Sequence, residues 1–140
     1  MRPIKIYNDH IRSYTPLVAA IKFKDLIVTE AGDFDEDRDD VVIQDKNLVI
    51  RGAKTCIEYL DEKYPHPPFY PVEPAKRAVI RMMIQDMHLH GHDFTAYENN
   101  PPEHFFVGTT PTLLDIFLYE LSPRTEFWND YRDRIDNFRR

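Results

Sequence analysis

A run of histidines after the middle of the chain has the residue types of a metal site. His88, His90 and His92 stand at alternate positions, and in a helix His88 and His92 would share one face, as two zinc ligands should. Gly91 favours the end of a helix here, and no third ligand stands at a defined spacing. We therefore expect exposed or hydrogen-bonded histidines and no metal.

A second metal-like pattern lies in the acidic stretch 33–40, DFDEDRDD, where aspartates alternate as in a calcium-binding loop. Such a loop needs a glycine at its sharp turn and a bidentate acid at its end. Arg38 and Gln44 occupy those positions. A solvated loop is the expected structure.

The only cysteine, Cys56, lies on an apolar helical stripe without a paired base in sequence. We expect a buried structural thiol. A single cysteine allows no internal disulfide, which agrees with a reducing cytoplasm. A glycine-rich phosphate loop and a Ser-His-Asp pattern are both missing from the sequence.

The chain has 140 residues and a net charge of −6. An acidic chain repels phosphate, so a protein partner or small ligand is favoured over direct nucleic-acid binding. The C-terminal arginines alternate with aspartates and predict a solvated, ion-pairing helix end: Arg132, Arg134, Arg139 and Arg140. We expect no membrane span and no signal peptide.

The elements that must position these residues divide into two groups. Alternating or β-branched residues predict strands at 4–7 and 26–29 and a hairpin from 41–43 and 47–50. Pro16 is tolerated only in a first turn, so a helix over 14–23 would begin near Thr15. The apolar spacing over 52–64 predicts another helix, which Pro65 ends.

The second group is helical and follows a stretch, 65–74, that holds five prolines. Proline excludes both a helix interior and a central strand, so an extended linker is expected. Helices are predicted at 75–90, at 116–121 and at 126–138, with a loop at 99–103. Thr112 and Asp115 have the spacing of a helix-capping pair.

This order predicts an α/β N-terminal thioredoxin-like subdomain followed by a small all-α C-terminal subdomain. The expected boundaries are 1–66 for the first subdomain, 67–74 for the proline-rich linker and 75–140 for the helical subdomain.

The block from Cys56 to Pro74 resembles a known family. Residues 58–65 read EYLDEKYP, and HPPFYPVEPAKRA follows at 66–78. The first part is similar to the glutathione-S-transferase fold in general, and the second resembles the stringent starvation protein A branch. The resemblance implies a reduced glutathione-S-transferase-like fold. Two segments that members of this family usually contain are missing from this chain. Their absence suggests a divergent copy of the family protein, such as one carried by a phage.

The same resemblance implies three determinants of glutathione binding, and two of them are replaced here. Ser13 or Tyr14 could supply the thiolate-binding hydroxyl. The third strand, however, is entered through Asp40 without the expected cis-proline, and Arg51-Gly52 replaces the acid-Ser pair. We expect no glutathione binding, no cofactor and no enzymatic activity.

By this resemblance the chain is a cytoplasmic, non-catalytic transcription regulator that binds RNA polymerase and its sigma factor. The implied contact residues are Tyr64, Pro65, His66, Pro67, Pro68, Phe69 and Tyr70. The alternatives are a minimal glutathione-S-transferase-like enzyme or thiol-peptide binder, and a dimerisation module that pairs with itself or with a longer family member.

Overall fold

A computed structural model describes residues 3–8, 16–33, 40–89 and 93–138 of the chain. It divides into two compact units, Met1–Pro68 and Phe69–Arg140. The division falls inside the proline-rich stretch.

The first unit is built on a mixed sheet of four strands in the order β2-β1-β3-β4. The strands are β1 (Ile4–Tyr7), β2 (Val28–Glu30), β3 (Val42–Asp45) and β4 (Leu48–Arg51). β1 runs parallel to β2 and antiparallel to β3, and β3 pairs with β4 as a hairpin. The hairpin turn uses Lys46 at positive φ, a conformation that tight hairpin turns require.

Two helices, α1 (Leu17–Phe23) and α2 (Ala53–Lys63), complete the first unit. They contact each other and strands of the sheet. The α2 stripe predicted from the sequence is confirmed, since Cys56, Ile57 and Leu60 are buried. Lys24 is also buried, and its ammonium group donates to Asp61 at 2.7 Å. A partly buried ion pair therefore borders the aliphatic core of this unit.

The second unit is helical throughout its described residues. Its helices are α3 (Pro74–Leu89), α4 (Thr95–Asn99), α5 (Leu113–Leu121) and α6 (Glu126–Phe138). α5 is the most buried of the four and contacts both α3 and α6. None of the helices in the described ranges is both long and apolar enough to cross a membrane.

The predicted capping pair is confirmed at the start of α5. The Asp115 carboxylate accepts from the backbone N–H of Thr112 at 2.7 Å and from the Thr112 hydroxyl at 3.2 Å. It also accepts from the Tyr131 hydroxyl of α6. Burial raises the pKa of Asp115, against the opposing effect of these donors. Asp115 thus caps the start of α5 and also links α5 to α6.

The expectation of a solvated, ion-pairing C-terminus is wrong for Arg132. Its side chain is buried, and its guanidinium donates to the carbonyl of Tyr119 at 2.9 Å and to the Ser122 hydroxyl at 2.8 Å. The last carbonyls of a helix have no partners within it, and a cation at this end also complements the helix dipole. Arg132 therefore caps α5. Arg139 and Arg140 lie outside the described residues.

Other differences from the sequence prediction are small. The second strand begins at Val28, two residues later than expected, and Asn99 ends the short helix α4 instead of opening a loop. A helix of five residues is too short to show a 3.6-residue apolar period, so periodicity could not reveal it. The predicted α6 has the observed bounds.

Candidate functional site

The Tyr64–Tyr70 segment begins where α2 ends, and its first residue is anchored in the sheet unit. Tyr64 donates its backbone N–H to Leu60 at 2.9 Å and its hydroxyl to the Asp45 carboxylate at 2.6 Å. Tyr59 donates to the same carboxylate oxygen, also at 2.6 Å. Burial and the Asp45 carboxylate raise the pKa of Tyr64 to about 12. Tyr64 is therefore a neutral hydrogen-bond donor at physiological pH.

The other end of the segment is anchored in the helical unit through Phe69. Its side chain is 0% exposed. Its carbonyl accepts from the backbone N–H of Leu113, the first residue of α5, at 2.8 Å. The N–H groups in the first turn of a helix have no partner within that helix, so this bond stabilises both the start of α5 and the Phe69 backbone.

The exposed part of the segment lies between these two anchors. Pro65, His66 and Pro68 are exposed, Pro67 is partly buried, and the His66–Pro67 peptide bond is cis. Proline fixes φ and removes a backbone donor, so this stretch presents carbonyls, rings and one imidazole from a restricted backbone. Six of the seven predicted contact residues are at least partly accessible, and Phe69 is not. The expectation that the Phe69 side chain is presented to a partner is therefore corrected, because that side chain is buried.

Tyr70, the last residue of the segment, lies beside two arginines of α3. The Arg77 and Arg81 guanidinium carbons are 5.4 and 4.5 Å from the Tyr70 ring centroid. Both distances are within the range of a cation–π contact. These contacts leave no local signal in the sequence, because the two arginines stand seven and eleven residues after Tyr70, across the start of a helix.

The backbone at the start of β3 has hydrogen-bond partners within the first unit. The carbonyl of Asp40, just before β3, accepts from the Asn8 side chain at 3.0 Å, and the Val41 carbonyl accepts from Gly52 N–H at 2.9 Å. Gly52 precedes α2 at φ +91° and provides no side-chain cap. The candidate hydroxyls of Ser13 and Tyr14 lie outside the described residues.

The remaining sequence candidates take structural positions where they are described. Cys56 is buried, its thiol lies 3.6 Å from the Ile50 carbonyl, and burial raises its pKa to about 12. The His88 ring lies 5.8 Å from Phe117. No group of three or more potential metal ligands occurs among the described residues. His90, His92 and most of the acidic stretch fall outside them.

A groove of about 480 Å³ lies in the helical unit between α3 and α4. Met83, Met87 and Phe106 supply apolar walls, and Asp86 and Asp93 supply carboxylates. The groove was not apparent from the sequence, since α4 was not predicted.

Comparison with known proteins places these features in a family context. No family model matches the chain. The stringent starvation protein A homolog of Coxiella burnetii is 33% identical over 97 residues, which cover 66% of this chain and 46% of that protein. The homolog of Histophilus somni is 42% identical over 40 residues, covering 29% and 19% respectively. The chain thus matches less than half of the length of these curated relatives.

Solved structures match over almost the whole chain. A Burkholderia glutathione transferase homolog with bound glutathione has a TM-score of 0.64 at 18% identity, covering 96% of this chain and 91% of that one. A glutathione S-transferase of Rhodospirillum rubrum F11 has a TM-score of 0.65 at 14% identity, covering 95% and 85%. These identities establish the fold alone. The chain is therefore a divergent relative of the stringent starvation protein A homologs, built on the glutathione-transferase fold, with a thioredoxin-like first unit and a helical second unit.

Proposed function

We propose that this chain is a non-catalytic transcription regulator that binds RNA polymerase holoenzyme through the Tyr64–Tyr70 segment. The observation that carries the proposal is the accessible Pro65–Pro68 stretch of the sheet unit, which follows the anchored Tyr64. The family relationship supports the choice of polymerase as partner, because the resemblance of the proline–histidine block is to the polymerase-associated branch.

The physical argument concerns the entropy lost on binding. Ordering a flexible side chain at an interface costs about 0.5–1.5 kcal/mol. Within the sheet unit the prolines restrict the backbone of the segment, and the Tyr64 hydroxyl is bonded to Asp45. Little freedom is left to lose, so His66 and the flanking rings can contribute most of their contact energy to affinity.

The proposal of a non-catalytic role rests on the replaced glutathione determinants. The peptide that precedes β3 contains no proline, and the Asp40 carbonyl accepts a hydrogen bond from the side-chain amide of Asn8. Isothermal titration with glutathione and a conjugation assay with a chlorinated aromatic substrate test this part. We expect no heat of binding and no turnover above buffer; specific turnover would favour the minimal-enzyme alternative.

The decisive experiment for the partner is a pull-down of RNA polymerase holoenzyme and of core enzyme, each with purified chain. The test variant is His66→Ala with Pro67→Ala. The chain offers a matched control in a second proline–histidine loop, Pro101→Ala with His104→Ala, because both of these residues are also exposed.

We expect the wild type and the control variant to retain holoenzyme, and the test variant to lose it. Equal retention by all three proteins would move the contact away from the segment. Failure of the wild type to retain either form of the enzyme would refute the polymerase proposal.

A second candidate function, self-association, is favoured by one helix face. Val79, Met82 and Leu89 of α3 are 39%, 55% and 68% exposed. At about 100° per residue they fall within one sector of the helix. We propose this face as a pairing surface, tested by light scattering of the wild type and Met82→Glu. A monomeric wild type at all concentrations would refute it.

A further inference from the structure

The surface formed by Tyr70, Arg77 and Arg81 is a cationic site in an acidic chain. Arg77 is partly exposed, Arg81 is exposed, and Tyr70 is partly buried. The two guanidinium carbons are 5.4 and 4.5 Å from the same ring. Two like charges are thus held within a few ångströms of one aromatic face or edge, although the chain as a whole carries −6.

The backbone of α3 explains how the two arginines meet. They are four residues apart, which places them one turn apart on the same side of a helix. Ile80 and Met87 form the buried stripe of α3. The arginines flank that stripe on the side opposite the exposed Val79 and Met82, given about 100° per residue. The cationic surface and the apolar face are therefore separate features.

No carboxylate balances this pair of charges within the described residues. The ion pair described for the chain is that of Lys24 with Asp61, and no described acid lies within 4.0 Å of either arginine. Glu73 lies one turn before Arg77 and accepts its backbone N–H at 3.1 Å, yet the two side chains are not paired. Two positive charges at this spacing repel each other, so an anion bound between them would offset that electrostatic repulsion.

The guanidinium groups also keep their donors available. Neither arginine donates a hydrogen bond to another described residue, and each contacts the Tyr70 ring as a cation–π partner. Arginine presents five N–H donors in a planar fork that matches a carboxylate with two parallel bonds. Contact with the ring restricts the arginine rotamers before binding, which lowers the entropy that a partner must offset.

We propose that the Tyr70–Arg77–Arg81 surface binds a carboxylate-rich segment of a protein partner. The surface adjoins the exposed proline stretch in sequence, so this inference rests on the proposed function for the identity of the partner and adds the chemistry of the contact. The partner segment is acidic, with glutamates or aspartates able to reach two neighbouring guanidinium groups.

A nucleic acid fits this surface less well than an acidic peptide. Affinity for a phosphate backbone comes from several phosphate contacts at once, about 6–10 in strongly binding proteins. Here two arginines stand in a chain of net charge −6, so a long polyanion would meet more repulsion than attraction. A short acidic segment can occupy the two guanidinium groups and leave the rest of the surface untouched.

The test uses the whole chain and a fluorescein-labelled polyglutamate peptide, with fluorescence anisotropy at low and at physiological salt. The test variant is Arg77→Glu with Arg81→Glu. Lys22→Glu with Lys54→Glu is the matched control, because both lysines are exposed and the net charge changes equally. Trp128 fluorescence verifies the fold of the test variant, because this side chain is buried in the unit that holds both arginines, and circular dichroism verifies the fold of the control, whose lysines lie in the sheet unit.

We expect the test variant to bind polyglutamate at least about tenfold more weakly than the wild type, the loss typical of one charge-assisted contact. The control should lose less than about threefold, which is a long-range charge effect. Arg77→Lys with Arg81→Lys keeps the charge but loses the planar guanidinium fork, so its affinity for polyglutamate should fall between those of the wild type and the test variant. Equal losses in the test and control variants would overturn the proposal, as would tighter binding of a single-stranded oligonucleotide than of polyglutamate.

The same variants in the holoenzyme pull-down separate this inference from the proposed function. In one outcome, the peptide binds only when both arginines are present, and the wild type does not retain polymerase. This result would refute polymerase as the partner and would support the acidic-segment site. Retention of polymerase by Arg77→Glu with Arg81→Glu, together with no peptide binding by the wild type, sinks the acidic-segment site alone.

Discussion

The buried bond between Tyr131 and Asp115 allows the most direct test of how the helical unit is held together. Tyr131→Phe removes one hydroxyl and leaves the ring in place, with its contacts to Phe105 and Trp128 at 6.2 and 5.8 Å between centroids. Asp115 is fully buried and keeps its two bonds from Thr112. The substitution therefore removes the bond to Asp115 together with the hydroxyl's backbone contact to Phe106 and changes nothing else in the side chain.

At a pH above the raised pKa of Asp115, the expected loss follows from the charge of the acceptor. A hydrogen bond to a charged group contributes about 1.5–3 kcal/mol, against about 0.5–1.5 for a neutral pair. Tyr119→Phe is the matched control, because its hydroxyl donates to Asp136 at 2.9 Å on an exposed surface. An exposed pair of this kind contributes less than about 1 kcal/mol. The buried change should therefore lower the free energy of unfolding more than the exposed one does.

Urea unfolding followed by the fluorescence of Trp128 measures both losses in the unit concerned. Trp128 is the chain's only tryptophan, is fully buried, and donates to Glu98 at 2.7 Å. With a slope of about 2 kcal/mol per molar urea, a loss of 2 kcal/mol lowers the midpoint by about 1 M. A Tyr131→Phe midpoint no lower than that of Tyr119→Phe would refute the reasoning.

The pH dependence gives an independent check with a defined sign. The pKa of Asp115 is raised in the folded chain, so its contribution to stability is fully present below its ordinary pKa and is lost as the pH rises through the folded value. The Tyr131 bond favours the charged form, and removing it raises this pKa further. The difference between wild type and Tyr131→Phe should shrink as the pH falls toward 3.8. A difference that grows on acidification would contradict the assigned bond.

Three further outcomes are expected. Cys56 should react with iodoacetamide about a thousandfold more slowly in the folded chain than in urea at pH 8, because its pKa is about 12 against 9.0; equal rates would show an accessible thiol. Asp61→Asn should lower the unfolding free energy by about 2–4 kcal/mol, since it leaves the buried Lys24 ammonium without its carboxylate, and thermal denaturation measures this. Tyr64→Phe should cost about 1–3 kcal/mol in the sheet unit by removing a bond to Asp45, checked by urea unfolding followed by circular dichroism.

Local chemistry accounts for the parts of the fold that the sequence predicted well. The Thr112–Asp115 spacing marks a helix start because both partners lie within one turn. Two apolar runs joined by a short polar turn predict the β3–β4 hairpin for the same reason. The apolar stripe of α2 needs only the 3.6-residue period to place Cys56 in the core. Each of these signals is complete within a few residues.

The candidate site shows the opposite behaviour, because its contacts join residues distant in sequence. The sequence alone determined that residues 65–73 could form neither a helix interior nor a central strand, since proline excludes both, whereas Pro74 is tolerated in the first turn of α3. Tertiary structure alone decided that Phe69 is buried against accessible neighbours, that Tyr64 is bonded to Asp45 and that Arg77 and Arg81 meet at Tyr70. The physical reason is that proline restricts the backbone of its own residue, whereas burial and charge pairing depend on which elements pack together.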